Sequence, residues 1–168
     1  FAGPTGTGKT ATAKILTEIL FGADNNSDKL LRFDMSLYQS LTDIPHLVGT
    51  QDNNEQGLLT EAIQGHPYAT LLLDELEKAH HDLLNIFLTI FDEGYFVNGS
   101  GRRIDCKHLI IIATSNVDHI ETVFSPEFIN RFDGIVPFHA LDSTSIFSIA
   151  RSIADGITGN YVQLHNIH

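Results

Sequence analysis

Eight residues near the start constrain this chain more than any others. Gly3, Pro4, Thr5, Gly6, Thr7, Gly8, Lys9 and Thr10 fill every fixed position of G-x-x-x-x-G-K-[ST]. Glycines at 3, 6 and 8 let the backbone take tight, partly left-handed turns. Successive N–H groups then point inward and form an anion nest. A helix-period segment begins at Lys9, so its free N–H groups and positive dipole end face the same anion. Lys9 is expected to reach the β- and γ-phosphates of a nucleotide, and the Thr10 hydroxyl to sit on Mg²⁺. The plain alternative is a Gly-rich turn before a helix. The fixed positions co-occur by accident in fewer than about 1% of chains this long, so a phosphate loop binding ATP or ADP is expected.

Composition sets the outer limits. At 168 residues and 42% hydrophobic content, the chain suits one domain, or one domain and the start of a second. Its net charge of −11 argues against a nucleic-acid or membrane surface, since both need clustered Lys and Arg. Cys106 is alone, so no internal disulfide is possible, and a cytoplasmic setting is expected. No apolar run approaches the ~20 residues of a membrane span. A phosphate loop follows a strand, and only Phe1 and Ala2 precede this one, so the chain is expected to be a piece of a longer protein.

Strand and helix patterns alternate. Helix is expected over Lys9–Phe21, with Ile15, Leu16, Ile19 and Leu20 on one face and Gly22 as the stop. Ala23–Asp28 reads as loop. Strands are expected at Leu30–Asp34, Thr70–Leu73, Leu109–Ala113 and Ile135–Phe138. The run at Thr70–Leu73 is apolar throughout, as in a strand buried on both faces of a parallel sheet. Short helix is expected over Gly57–Gly65. A stronger one covers Lys78–Glu93, with Leu83, Leu84, Phe87 and Phe91 inward and Gly94 as its cap. Tyr95–Val97 and Arg103–Asp105 flank Asn98, Gly99, Ser100 and Gly101, a hairpin signal. Ser125, Pro126 and Glu127 start a helix by cap, proline and acid. A last helix is expected over Asp142–Ala154, closed by Gly156. The alternation implies an α/β fold with a mainly parallel sheet, whose ligands bind beyond the carboxyl ends of the strands.

Two such ends complement the phosphate loop. Asp74 closes the Thr70–Leu73 run and can hold Mg²⁺ through its water shell opposite Thr10. Glu75 lies one step farther out and can deprotonate an attacking water. Asn116, past the Leu109–Ala113 strand, can bind that water or a γ-phosphate oxygen; it can equally be a turn-forming Asn. Arg131 is expected late in the helix begun at Ser125. It can stabilise a phosphoryl-transfer transition state in cis or in trans, or simply pair with Glu127 or Asp133.

The order of these blocks resembles the Clp-type AAA+ ATPases, most nearly the second nucleotide-binding domain of ClpA, ClpB and ClpV proteins. The blocks are the phosphate loop, F-D-M-S (Phe33–Ser36), L-T-E-A (Leu59–Ala62), L-L-L-D-E-L-E-K-A-H (Leu71–His80), G-x-G-R (Gly99–Arg102), A-T-S-N (Ala113–Asn116) and P-E-F-I-N-R-F-D (Pro126–Asp133). The resemblance implies a P-loop NTPase fold of three α/β/α layers with a five-stranded sheet in the order 5-1-4-3-2. It implies a large nucleotide-binding subdomain over residues 1–141 and the start of a small lid subdomain over 142–168. It assigns Lys9 and Thr10 to Walker A, Asp74 and Glu75 to Walker B, Asn116 to sensor 1 and Arg131 to an arginine finger reaching a neighbouring subunit. It further implies a homo-oligomeric ring, usually a hexamer, that hydrolyses ATP with Mg²⁺ and pulls on protein clients. It names no protease partner.

The chain departs from this pattern in two places. The family's aromatic-Gly pore loop should fall within Gly49–Gly57, yet that stretch holds no aromatic residue. No sensor 2 arginine is in place, since Arg151 comes too early. A non-threading, ATP-driven conformational switch is therefore the competing function. A metal other than Mg²⁺ is not expected. His80 and His81 are adjacent and would point about 100° apart on a helix. His165 and His168 have no carboxylate or cysteine near in sequence. Cys106 is expected to be packing rather than a nucleophile.

Overall fold

The computed structural model of the chain describes residues 1–22, 26–51 and 55–165. In chain order they form α1 (Lys9–Phe21), α2 (Asn26–Lys29), β1 (Leu30–Asp34), α3 (Ile44–Val48), α4 (Leu58–Gly65), β2 (Thr70–Asp74), α5 (His81–Glu93), β3 (Tyr95–Val97), β4 (Arg103–Asp105), β5 (Ile110–Ala113), α6 (Pro126–Ile129) and α7 (Ser143–His165). Contacts divide the chain into two compact units, Phe1–Phe138 and His139–His168.

The first unit is built on a parallel sheet ordered β1-β2-β5. Register runs from Leu30 opposite Thr70 to Asp34 opposite Asp74, and from Thr70 opposite Ile110 to Leu73 opposite Ala113. All five residues of β2 are buried, Leu71–Leu73 as their apolar side chains require. Side chains alternate across the sheet. Leu72 and Ile112 pack with Ala13 of α1 on one face. Leu71 and Leu73 join Leu83, Phe87 and Ile90 of α5 on the other. Burying each of those α5 side chains contributes roughly 1.5–3 kcal/mol.

Several expectations are corrected. Five strands were expected in the sheet, and three form among the described residues. Ala2 makes only single-residue parallel bridges, to Ser115 and to Pro137. Pro137 has no N–H to donate to a ladder. α1 buries Ala13 and Thr17, with Leu16 partly covered, while Ile15 and Ile19 are 55% and 74% exposed. Lys9, Ala13 and Thr17, spaced four apart, are the buried residues of the helix, and Ala13 meets the sheet at Leu72 and Ile112. Asn26–Asp28 lie in α2 rather than in a loop. α5 begins at His81 because Leu76–Lys78 form a separate 3₁₀ turn. α7 passes through Gly156 to His165. A helical glycine costs only about 1 kcal/mol and need not end a helix. α6 stops at Ile129, with Asn130 as its C-cap, so Arg131 lies in the turn beyond.

The β3–β4 hairpin is antiparallel, Phe96 opposite Ile104, both buried. Its tip packs against the neck of the Gly49–Gly57 interval. The Gly99 N–H donates to Val48 O at 2.9 Å, and Thr50 N–H to Glu55 O at 3.0 Å. Residues 52–54 of that interval lie outside the described residues. A Cβ on Gly99 would stand 1.8 Å from Gly49 O, a backbone atom. Gly99→Ala is therefore expected to destabilise the protein by about 1–3 kcal/mol, as overpacking does. Gly65→Ala, whose Cβ meets open space, is the control and should be neutral or slightly stabilising. Thermal unfolding of both variants checks this; equal midpoints would mean the hairpin tip is not clamped.

Candidate active site

Three segment ends converge on one cleft of about 350 Å³. The phosphate loop supplies Thr5, Gly6, Gly8, Lys9 and Thr10, β2 supplies Asp74 and Glu75, and the segment after β5 supplies Thr114 and Asn116. The sheet explains the meeting. Asp74 shares the Leu72 face, which is the face α1 covers, so its carboxylate emerges beside the first turn of α1.

The loop is as tight as its glycines suggest. Gly8 has φ +95° and directly precedes α1, a conformation that a side-chain-bearing residue rarely adopts. Lys9 is only 6% exposed and donates from Nζ to Gly3 O at 2.7 Å and to Pro4 O at 2.8 Å. Burial pushes its ammonium below the ordinary value, against the pull of Glu77, Asp74 and Glu75. Thr7 closes the turn through Oγ1 to Pro4 O at 2.9 Å.

Asp74 is the node of the site. Thr10 Oγ1 donates to its Oδ1 at 3.0 Å and Oδ2 at 3.2 Å. Thr114 Oγ1 donates to Oδ1 at 2.5 Å. Arg32 donates to Oδ2 from Nη2 at 2.6 Å and from Nε at 3.0 Å. Burial works against the charged form of Asp74, but the bonds from Thr114, Arg32 and Thr10, with the Arg32 charge, outweigh it. The carboxyl is held below its ordinary range. Thr10 and Asp74 offer only oxygen donors, the chemistry that suits a hard cation such as Mg²⁺.

Glu75 is the one non-glycine residue with positive φ among the described residues, at +57°. Such an outlier costs on the order of 1 kcal/mol or more and persists where surroundings fix it. Its N–H donates to Thr114 Oγ1 at 3.0 Å. Its carboxylate accepts from Asn116 Nδ2 at 2.9 Å on Oε1 and from Lys78 Nζ at 2.5 Å on Oε2. Asn116 also donates its backbone N–H to Glu77 Oε1 at 3.1 Å, which fixes it over the acid pair.

Of the residues expected from sequence, Thr5, Gly6, Gly8, Lys9, Thr10, Asp74, Glu75 and Asn116 line this cleft, while Pro4 and Thr7 shape the loop behind it. Arg131 is not among them. It is half-exposed in a separate surface cleft, with Nε 2.8 Å from Asp92 Oδ1 and Nη2 3.9 Å from Glu127 Oε1. Arg32 and Thr114 belong to the site without having been singled out, and Lys78 pairs with Glu75 without lining the cleft. The one signal for Arg32 was a lone cation inside an apolar strand. His80 also departs from expectation. It is the N-cap of α5, outside the helix, so the 100° argument does not apply. Its ligand atom and those of His81 and Asp82 lie within 4.8 Å of one another. His80 Nδ1 already accepts the Asp82 N–H at 3.3 Å. His168 lies outside the described residues. Cys106 is buried, and burial pushes its thiol up to about 12, as a packing role requires. Among the described residues, no helix is long and apolar enough to cross a membrane.

Residues 1–135 match the family model described as AAA domain (Cdc48 subfamily). The ClpE ATP-binding subunit of the ATP-dependent Clp protease of Streptococcus pneumoniae is 39% identical over 176 residues, covering 89% of this chain and 23% of that protein. Chaperone protein ClpB of Mycoplasma genitalium is 39% identical over 171 residues, covering 91% of this chain and 24% of its own length. The chain thus spans about a quarter of these curated relatives. Among solved structures, Saccharomyces cerevisiae Hsp104 in complex with casein superposes with a TM-score of 0.82 at 33% identity, covering 94% of this chain and 31% of that one. A closed-state reconstruction of Hsp104 with ATPγS and FITC-casein gives the same values.

Proposed function

This chain belongs to the Clp-type AAA+ ATPases, and from that premise we propose that it is the ATP-hydrolysing module of a Clp-type protein unfoldase or disaggregase, with catalysis shared between neighbouring subunits of a ring. The observation that carries the proposal is the convergence of Lys9, Thr10, Asp74, Glu75 and Asn116 on one cleft.

In this reading the loop amides and Lys9 bind the phosphates of ATP. Thr10 and Asp74 would hold Mg²⁺, whose charge, when bound, offsets that of the β- and γ-phosphates. Glu75 accepts a proton from water as the water oxygen bonds to the γ-phosphorus. The bond from that phosphorus to the bridging oxygen breaks, and its electron pair leaves with ADP. Asn116 orients the base through its 2.9 Å bond to Oε1. Residues 1–141 act as the large subdomain and 142–168 as the start of the lid.

Arg131 is set apart from its own chain's cleft, so a catalytic role for it requires a second copy. That is the basis for a ring, taken as a hexamer, acting in trans. Mixing Arg131→Ala with Glu75→Gln protein tests it. Each alone should be inactive. A mixed ring holds some sites with an intact Glu75 beside a neighbour's intact Arg131, so mixing should restore ATP turnover. Fully active Arg131→Ala protein, with no gain on mixing, would end the trans role.

The Hsp104 structures hold casein, which supports a protein client here. A second reading, a non-threading switch, is favoured by the absence of any aromatic residue across Gly49–Gly57. ATP turnover by the full chain without unfolding of a fluorescent client protein would favour it.

A further inference from the structure

Lys78 pairs with the carboxylate of Glu75 without lining the phosphate-loop cleft. It follows Glu75 by three residues, across the 3₁₀ turn Leu76–Lys78, and its Nζ lies 2.5 Å from Oε2. Lys78 is about half exposed and does not line the phosphate-loop cleft, whereas Glu75 and Asn116 do. The two carboxylate oxygens are thus divided between opposite tethers. Oε1 is held from within the cleft by the neutral Asn116 amide, and Oε2 from outside it by the Lys78 ammonium.

We propose that Lys78 is a positioning residue that restrains the general base, and that its release sets part of the rate of ATP hydrolysis. The inference rests on Glu75 being the base. A base must bring an oxygen within about 3.2 Å of the water it deprotonates, and a tether from Lys78 draws Oε2 the other way. The restraint is modest, because a half-exposed lysine–carboxylate pair is weak. A pair of that strength corresponds to a change of about two- to fivefold in rate. In an assembled protein, any acidic group that draws Lys78 away would free the base by the same amount.

The test compares Lys78→Met and Lys78→Arg in the full-length protein, with steady-state ATP turnover as the readout. Lys78→Met should raise kcat about two- to fivefold and leave KM for ATP within about twofold, since Lys78 does not line the phosphate-loop cleft. Lys78→Arg, which keeps the ion pair, should retain the parental kcat. Adding Glu75→Gln to Lys78→Met should abolish the extra turnover. An unchanged or lowered kcat for Lys78→Met overturns the inference. So does an equal rise in the Arg variant, or a change confined to KM. Parental turnover by Glu75→Gln alone would instead remove Glu75 as the base, a different failure with its own signature.

Discussion

Lys9→Ala protein is expected to bind ATP between about thirtyfold and a few thousandfold more weakly than the parent. The lysine is 6% exposed, so its ammonium meets a phosphate in a site with little competing water. Truncating one partner of such a buried, hydrogen-bonded charge pair costs about 2–5 kcal/mol or more, and each 1.4 kcal/mol is tenfold in affinity. In the free chain Lys9 also ties the loop to itself through Gly3 O and Pro4 O. Two neutral carbonyls hold an ammonium less firmly than a triphosphate does, so stability should fall much less than affinity. Calorimetric titration with ATP, beside thermal unfolding, separates the two losses. ATP affinity within a factor of two of the parent would refute the assignment of Lys9.

Glu75→Gln should show the opposite pattern. The amide keeps the shape, and its carbonyl oxygen can still accept the 2.9 Å bond from Asn116, so nucleotide affinity should hold. What disappears is the acceptor for the proton of water. General-base catalysis contributes about 10²–10⁴-fold, and turnover should fall by that factor. Single-turnover hydrolysis of bound ATP is the direct measurement, since it excludes slow product release. A variant hydrolysing at the parental rate would leave Glu75 as a structural residue held in strained backbone for some other reason.

The division between what sequence could and could not supply follows from distance along the chain. Lys9 and Thr10 were legible because a phosphate loop is one continuous segment with fixed spacing. Asp74, Glu75 and Asn116 were legible as positions because strand ends in an α/β sheet gather at one edge. Gly94, at φ +69°, was legible as a cap because it follows a long amphipathic run. Arg32 and Thr114 were not, because their role depends on strand register. Arg32 lies opposite Leu72, two residues short of Asp74 on the same face, and nothing local to Arg32 indicates that. The buried side of α1 was misjudged for a related reason. The most apolar stripe, at Ile15 and Ile19, lost to the stripe continuing from Lys9. Periodicity ranks faces by greasiness, whereas the face that packs on the sheet here carries the small residues Ala13 and Thr17. Arg131 was legible as a candidate, but its position on a separate surface cleft is a property of the fold alone.

Asp74 gathers a donor from each of three remote segments: Thr10 from the first helix, Arg32 from the neighbouring strand and Thr114 from beyond the next. Damage here is consequently lopsided. Losing any one donor leaves two ties in place and one vacancy on the acceptor. Losing the acceptor cuts all three at once; the buried Thr114 hydroxyl loses its acceptor at a cost on the order of 1–3 kcal/mol, while the half-exposed Arg32 guanidinium can turn to water. A second-site change elsewhere could compensate for the first kind of lesion, but no single replacement side chain could repair the second.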